Sequence, residues 1–164
     1  MEIGEAFVGS GADAAHINTV LGARDGPVGT AWSTALATPT IGHARFLVVA
    51  RPGVAVQPPT LFVNKAALSD NTEHARLTWG PAQAGVAGGV ADALRSGVID
   101  PAEVRDLVLI AAVWVDPAAS DAELVYRNNR EATARALAAG ATSEPSVEDV
   151  LAVTDPWNPF FPGP

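Results

Sequence analysis

Two runs of apolar residues with interspersed polar ones near the start of the chain predict a strand pair. They cover residues 3–8 and 15–21, and a glycine-containing turn at 9–13 separates them. Successive side chains of a strand point to opposite faces of the sheet. The second strand therefore places His16 and Asn18 on one face, opposite the apolar residues between them.

Three further apolar runs predict the rest of the sheet. Residues 46–50 and 61–64 are rich in β-branched and aromatic residues and are joined by a proline-rich stretch, so we expect them to pair. The run at 107–115 is almost continuously apolar. This pattern is typical of a strand that is buried on both faces.

Capping and stop signals predict the helices. The first predicted helix covers residues 27–37, and the second runs from Asp70 to Gly97 and continues through or restarts at Pro81. A short helix begins at Asp100. A long helix begins at the capping box at 120–123 and ends at Gly140, and a last short helix covers 146–153. The second segment contains Gly85, Gly88 and Gly89, each of which costs about 1 kcal/mol relative to alanine in a helix interior. Close packing of another backbone would explain them.

The order of these elements predicts the fold class. Strands and helices alternate without an internal repeat, which indicates a single layered α/β or α+β domain with a mixed sheet over residues 1–153. Proline recurs every few residues in the tail at 154–164, so this tail is expected to be irregular. Its large aromatic residues should pack on this domain, on a neighbouring subunit or at the mouth of a site.

Composition narrows the classes of partner. The chain has 164 residues, of which 48% are apolar, and a mean hydropathy of +0.19. These values are high for a small monomer and predict a homo-oligomer with a subunit interface to cover. The net charge of −8 and the pI of about 4.7 oppose binding to nucleic acid or to anionic membranes.

Targeting and metal signals are absent from the sequence. The first residues lack the basic start and apolar core of a signal peptide, and no apolar run approaches the roughly 18 residues of a membrane span, so we expect a cytoplasmic protein. There is no cysteine, and the three histidines are too widely spaced to pair as metal ligands. A metal site is not expected.

The strongest candidate for specific chemistry is Lys65, the only lysine of the chain, because the other nine basic residues are arginine. Lysine is a compact cation that loses its proton readily on burial, which arginine does not. The alternative is an ordinary surface lysine at a strand end. Together with His16 and the Trp79 to Gln83 turn, Lys65 could line one polar pocket, although spacing alone does not place these residues together.

Six short segments carry the most specific signal, because they occur in a fixed order with small length changes between them. They are Gly4-Glu5-Ala6-Phe7-Val8-Gly9, Ala15-His16-Ile17-Asn18, Asp25-Gly26-Pro27-Val28-Gly29, Val63-Asn64-Lys65, Gly80-Pro81-Ala82-Gln83 and Glu131-Ala132-Thr133. Over about residues 2–140 this series resembles the formaldehyde-activating enzyme family.

The resemblance implies a fold, an assembly and a reaction. The fold would be like that of ribosomal protein S5 domain 2, in a homopentamer with active sites near subunit contacts. The reaction would be the condensation of formaldehyde with tetrahydromethanopterin, which gives methylene-tetrahydromethanopterin and water. The pterin would be a co-substrate, and no metal or prosthetic group would be bound.

The resemblance also implies roles for individual residues. His16 would be the general acid, and Asn18, Leu47, Lys65 and Gln83 would bind the substrate. Leu47 has core packing as an alternative, and Gln83 could be an ordinary polar residue at a helix start. The other two histidines, His43 and His74, match no family role and are expected to be surface or cap residues.

Two departures from the family pattern leave the acceptor open. Asn18 stands where the family has an aspartate, and Ala67 stands where it has a threonine. An amide does not stabilise an imidazolium as a carboxylate does, so we expect an altered charge balance beside His16. The alternatives are a paralogue that condenses formaldehyde with another pterin, a folate or a different amine, and a non-catalytic protein that binds pterin or formaldehyde.

Overall fold

A mixed five-stranded sheet with helices on both faces organises the computed structural model, which describes residues 1–68, 72–159 and 161. The strands are β1 (Glu2–Val8), β2 (Ala15–Ala23), β3 (Arg45–Leu47), β4 (Val49–Arg51), β5 (Val54–Ala55), β6 (Thr60–Asn64) and β7 (Leu107–Trp114). The helices are α1 (Pro27–Ala37), α2 (Thr72–Leu77), α3 (Gln83–Ser96), α4 (Ala122–Thr142) and α5 (Val147–Ala152), with a π-helical turn at Thr78–Ala82 between α2 and α3.

The strand order of the large sheet is β1-β2-β7-β6-β3. The β6–β7 pair is parallel, and the other three pairs are antiparallel. The expected layered α/β class with a mixed sheet is therefore confirmed. The finer likeness to ribosomal protein S5 domain 2 and the boundary between a domain and a tail at residue 153 stay predictions.

The two faces of the sheet have different environments. On the inner face, Ile17 and Val113 are fully buried in a core that also contains residues of α3 and α4. On the outer face, α1 packs against the far end of β2, because Val28 lies where a side chain on Gly22 would be. The predicted alternation of β2 is confirmed, and it leaves His16 half-buried on the outer face.

Close packing of α3 on α4 explains two of the three helical glycines, Gly85 and Gly89. A Cβ atom on Gly89 would lie 2.5 Å from the Thr133 side chain and 2.6 Å from the Arg130 carbonyl oxygen. One on Gly85 would lie 2.6 Å from the Tyr126 carbonyl oxygen. The expected approach of a second backbone is confirmed, and it fixes the helical layer on the inner face.

Two predicted elements differ from the structure. The strand predicted at 46–50 is interrupted at Val48, whose amide donates to Thr60 while its carbonyl accepts from Val56. The chain therefore leaves the large sheet after β3 and forms a small hairpin from β4 and β5. The helix predicted from Asp100 was wrong: a series of turns follows, in which the amides of Glu103 and Asp106 donate to the carbonyl oxygens of Asp100 and Glu103, three residues back.

The ends of the helices also refine the sequence analysis. Asp121 rather than Ser120 caps α4, since its carboxylate accepts from the amides of Glu123 and Leu124. The helix runs past Gly140 to Thr142. The last predicted helix is confirmed as α5, with a capping box between Ser146 and Asp149. The predicted cap at Asp70 lies outside the described residues.

His74 does not lie at the surface, contrary to the sequence-based expectation. It is 1% exposed, and its Nε2 lies 3.0 Å from the carbonyl oxygen of Val115. Packing of α2 against the residue that follows β7 buries it. In the part of the chain that the structure describes, none of the helices is both long and apolar enough to cross a bilayer.

Candidate active site

A cluster of polar side chains lies on the outer face of the sheet, where β1, β2 and β7 run side by side. The register places His16 opposite Phe7 on one side and opposite Trp114 on the other. Asn18 is opposite Glu5 and Ala112. Glu5 and His16 are therefore diagonal neighbours on adjacent strands, within reach of each other's side chains.

Glu5 and His16 form an ion pair when the imidazole is protonated. The His16 Nε2 atom lies 2.9 Å from the Glu5 Oε1 atom. The His16 side chain is 35% exposed and that of Glu5 57% exposed, so a molecule in solution can reach both. Although residue 18 is an amide, Glu5 thus supplies His16 with a carboxylate neighbour from the adjacent strand.

Lys65 reaches the same cluster from the end of β6. Its backbone amide donates to Val113, which extends the pairing with β7 by one residue. Its Nζ atom donates to Asn18 Oδ1 at 2.9 Å. The ammonium thereby crosses the strand β7, where the residue opposite Asn18 is the small Ala112. The sole lysine is thus held in a specific contact, and Asn18 binds this lysine rather than His16.

The surroundings of the cluster lower the pKa of both His16 and Lys65. Burial lowers the pKa of His16, the Lys65 ammonium lowers this pKa further, and Glu5 opposes both effects. Burial also lowers the pKa of Lys65, against the opposing charge of Glu5. The imidazolium of His16 is consequently a stronger acid than that of a free histidine, and it is less populated at neutral pH.

Part of the C-terminal segment lies against this cluster. A cavity of about 620 Å³ is bounded by His16, Glu5 and Phe7 and by Trp157, Asn158 and Pro159. The backbone of Asn158 and Phe161 exchanges two hydrogen bonds, of 2.8 and 3.0 Å, which close the turn that holds this segment. The tail's aromatic residues were expected on this domain, on a neighbouring subunit or at the mouth of a site. Trp157 lines this cavity and so corresponds to the third of these surroundings.

Leu47 and Gln83 lie in a different cavity of the same chain. It has a volume of about 510 Å³, and its wall also includes His43, Phe46 and Trp79. Leu47 is 38% exposed, so it forms part of this wall and is not core. The Gln83 side chain is anchored by donation from its Nε2 to the Val49 carbonyl oxygen at 2.7 Å.

The register gives the separation of the two cavities. Strands β2 and β3 are three positions apart in the sheet, about 14 Å at the usual interstrand spacing. Along the strands, Leu47 lies level with Leu61 and Ile110, whereas His16 lies level with Trp114. Leu47 and His16 are therefore also offset by about 13 Å in the strand direction. One chain therefore brings His16, Asn18 and Lys65 together and leaves Leu47 and Gln83 apart from them.

Two residues that line these cavities, Glu5 and His43, had no role assigned from the sequence. The connection between β1 and β2, residues 9–14, is too long for its sequence alone to fix the strand register, so no local signal paired Glu5 with His16. No local signal pointed to His43. In residues 1–68, 72–159 and 161, no three histidine or acidic side chains are grouped as metal ligands would be.

Comparison with known proteins gives a consistent family. The family model described as formaldehyde-activating enzyme (Fae) matches residues 3–160. The 5,6,7,8-tetrahydromethanopterin hydro-lyase of Methanosarcina barkeri is 41% identical, over 97% of this chain and 89% of that protein. The bifunctional enzyme Fae/Hps of Methanosphaera stadtmanae is 41% identical over 94% of this chain, and that of Archaeoglobus fulgidus is 37% identical over 96%. The chain spans about two fifths of the length of these two bifunctional relatives.

The ionisation of His16 should respond to its two neighbours in opposite directions. Glu5→Gln removes the carboxylate that raises the His16 pKa, so this pKa should fall. Asn18→Asp adds a carboxylate beside Lys65 and offsets the lysine charge, so the pKa should rise. NMR titration of the imidazole measures both changes, and a shift of one unit corresponds to about 1.4 kcal/mol.

The exposed Glu103→Gln variant is the control, because Glu103 precedes β7 at the end opposite Trp114, the residue that pairs with His16. Shifts of the same sign in the Glu5 and Asn18 variants, or shifts no larger than in the control, would contradict the assigned electrostatics.

Proposed function

Because the chain belongs to the formaldehyde-activating enzyme family, we propose that it condenses formaldehyde with tetrahydromethanopterin to give methylene-tetrahydromethanopterin and water. The observation that carries this proposal is the family match over residues 3–160. The 97% coverage by a relative named tetrahydromethanopterin hydro-lyase supports the choice of acceptor. The cluster of His16, Glu5 and Lys65 beside an open cavity supplies groups suited to the reaction.

His16 is the general acid of this reaction. A pterin nitrogen adds to formaldehyde and gives a carbinolamine, whose hydroxyl must leave. Proton donation from the His16 imidazolium makes water the leaving group and produces an iminium ion. The second pterin nitrogen attacks this ion and loses its proton, which closes the ring and leaves water as the only other product. Glu5 orients the His16 imidazole and stabilises its protonated form.

Lys65 and Asn18 position the pterin beside the acid. The Asn18 Oδ1 atom accepts from Lys65, so the two N–H donors of the amide can serve a ligand. The Lys65 ammonium suits a ring carbonyl, and its lowered pKa reflects burial in the cluster. We assign Lys65 to positioning rather than to a Schiff base with formaldehyde, because the reaction needs orientation of the two pterin nitrogens above all.

Leu47 and Gln83 bind the pterin from a neighbouring subunit. Their cavity is too far from His16 for one pterin ring to contact both within a single chain. In a cyclic homo-oligomer, of which a pentamer is the form that the family implies, one subunit's second cavity faces the next subunit's His16. Large apolar side chains stay exposed on the C-terminal segment and suit such an interface: Val147, Val150, Leu151, Val153 and Trp157.

The remaining assignments complete the proposal. The protein acts in the cytoplasm as a catalytic domain over residues 1–153 with a short tail at 154–164, of which Trp157, Asn158 and Pro159 line the His16 cavity. It uses no metal or prosthetic group, since the condensation needs only addition, proton transfer and loss of water, with no change of oxidation state. Neither nucleic acid nor membrane is a partner of this acidic chain.

His16→Ala should remove most of the catalysed rate, by a factor of about 10² to 10⁴, because that is the usual contribution of a general acid. Pterin affinity should stay within about tenfold, since the other binding groups remain. The rate of methylene-tetrahydromethanopterin formation is measured against the spontaneous condensation in buffer. Unchanged turnover in the variant would remove His16 from the mechanism.

The same assay with tetrahydrofolate as acceptor separates the alternatives. Acceleration with tetrahydrofolate alone would identify a paralogue with a different acceptor. Tight pterin binding without acceleration for any acceptor would identify a non-catalytic binding protein.

If each site contains residues of two subunits, two variants that are inactive alone should restore activity when they assemble together. Sedimentation should show an oligomer for the wild type and for the inactive variants His16→Ala and Gln83→Ala. After these two variants are unfolded together and reassembled, about a quarter of the sites should contain both intact residues if neighbours mix at random. A monodisperse monomer at micromolar concentration, or a mixture as inactive as its components, would contradict this arrangement.

A further inference from the structure

The second cavity contains a histidine that the proposed mechanism does not use. His43 precedes β3, and its Nδ1 atom lies 3.0 Å from the carbonyl oxygen of Asn64. A carbonyl oxygen only accepts, so Nδ1 carries the proton. In the neutral imidazole, Nε2 then has a free lone pair. Among residues 1–68, 72–159 and 161 no side chain or backbone group donates to this Nε2 atom.

The Gln83 side chain, like that of His43, bonds to a backbone carbonyl oxygen through one atom and keeps another atom as an acceptor. Its Nε2 atom donates to the carbonyl oxygen of Val49 at 2.7 Å, which leaves its Oε1 atom as an acceptor. The side chain is 9% exposed and lines the same cavity as His43. The nearby cation does not serve these acceptors, because the Arg45 guanidinium donates to the carbonyl oxygens of Ala35 and Thr38 at the end of α1.

The acceptor atoms of His43 and Gln83 are held in place by hydrogen bonds from the same side chains to the backbone, and the wall around them is largely apolar. This arrangement suits a ligand with hydrogen-bond donors along one edge. Phe46, Leu47 and Trp79 provide the apolar surface around them. A flat heterocycle with N–H donors on one edge would satisfy both acceptors while its faces contact the apolar wall. The pyrimidine ring of a reduced pterin has such an edge, formed by its exocyclic amino group and a ring N–H.

We propose that His43 Nε2 accepts a hydrogen bond from an N–H donor of the pterin's pyrimidine ring and that His43 thereby determines specificity for this ring. The proposal rests on the function proposed above, since it names the pterin as the ligand of the second cavity. His43 is a binding residue and takes no part in proton transfer to the carbinolamine. Its anchor on Asn64 joins the cavity to the end of β6, next to Lys65.

Two substitutions separate this role from a structural one. His43→Asn places an amide nitrogen near the position of Nδ1, so it keeps the bond to Asn64 and loses the acceptor at Nε2. His43→Gln places an amide near the position of Nε2, so it keeps an acceptor and loses the anchor. The pair therefore removes one hydrogen bond at a time from the same side chain.

We expect His43→Asn to raise the KM for tetrahydromethanopterin about tenfold or more, with little change in kcat or in melting temperature, because an N–H donor of the bound ring then lacks its partner. His43→Gln should keep more of the affinity. A wild-type KM for His43→Asn, or a loss of affinity confined to His43→Gln together with a lower melting temperature, would overturn the proposal and leave His43 as a structural residue.

Direct binding of tetrahydromethanopterin, followed by tryptophan fluorescence, separates this inference from the proposed function. If the wild-type protein binds the pterin without catalysing its condensation, the proposed function fails, and weaker binding by His43→Asn still supports the inference. If the wild type catalyses the reaction and His43→Asn binds and reacts as the wild type does, the inference alone fails.

Discussion

A half-buried ammonium held beside an imidazole is the constraint on which the rest of the site depends. Lys65 crosses the β7 strand to donate to Asn18 at 2.9 Å, and its charge together with burial lowers the pKa of His16. Two cations are unfavourable in one partly desolvated cluster, so Glu5 on the edge strand limits the cost by contacting His16 at 2.9 Å. The balance of the three charges sets the acid strength of His16.

The sheet can present this cluster because its two faces are covered unequally. The helical layer of α3 and α4 packs on the inner face, where glycines such as Gly89 permit backbone contact. On the outer face α1 packs on β2 near Gly22, at the end away from Asn18 and His16, so these two residues stay partly exposed. A rigid inner layer thus supports polar groups that an extra helix on the outer face would bury. The proposed subunit contacts then complete the site from outside the chain.

Local patterns predicted those parts of the molecule that depend on neighbours in sequence. The alternation of β2 placed His16 and Asn18 on one face, and the glycines of α3 indicated a close helix contact. Features fixed by tertiary contacts were not accessible in this way. The break at Val48 depends on hydrogen bonds to Thr60 and Val56. The contact of Glu5 with His16 depends on the register of two strands, and the family pattern gave no sign of it.

The central claim is that the Lys65 charge lowers the pKa of His16 beyond the effect of burial, and NMR titration of His16 in the wild type and in Lys65→Met tests it most directly. Methionine keeps an apolar side chain of similar reach without the charge. The account predicts a His16 pKa below the usual value of about 6.5 in the wild type and a higher value in Lys65→Met. An unchanged pKa in the variant, or a wild-type pKa above the usual value, would contradict it.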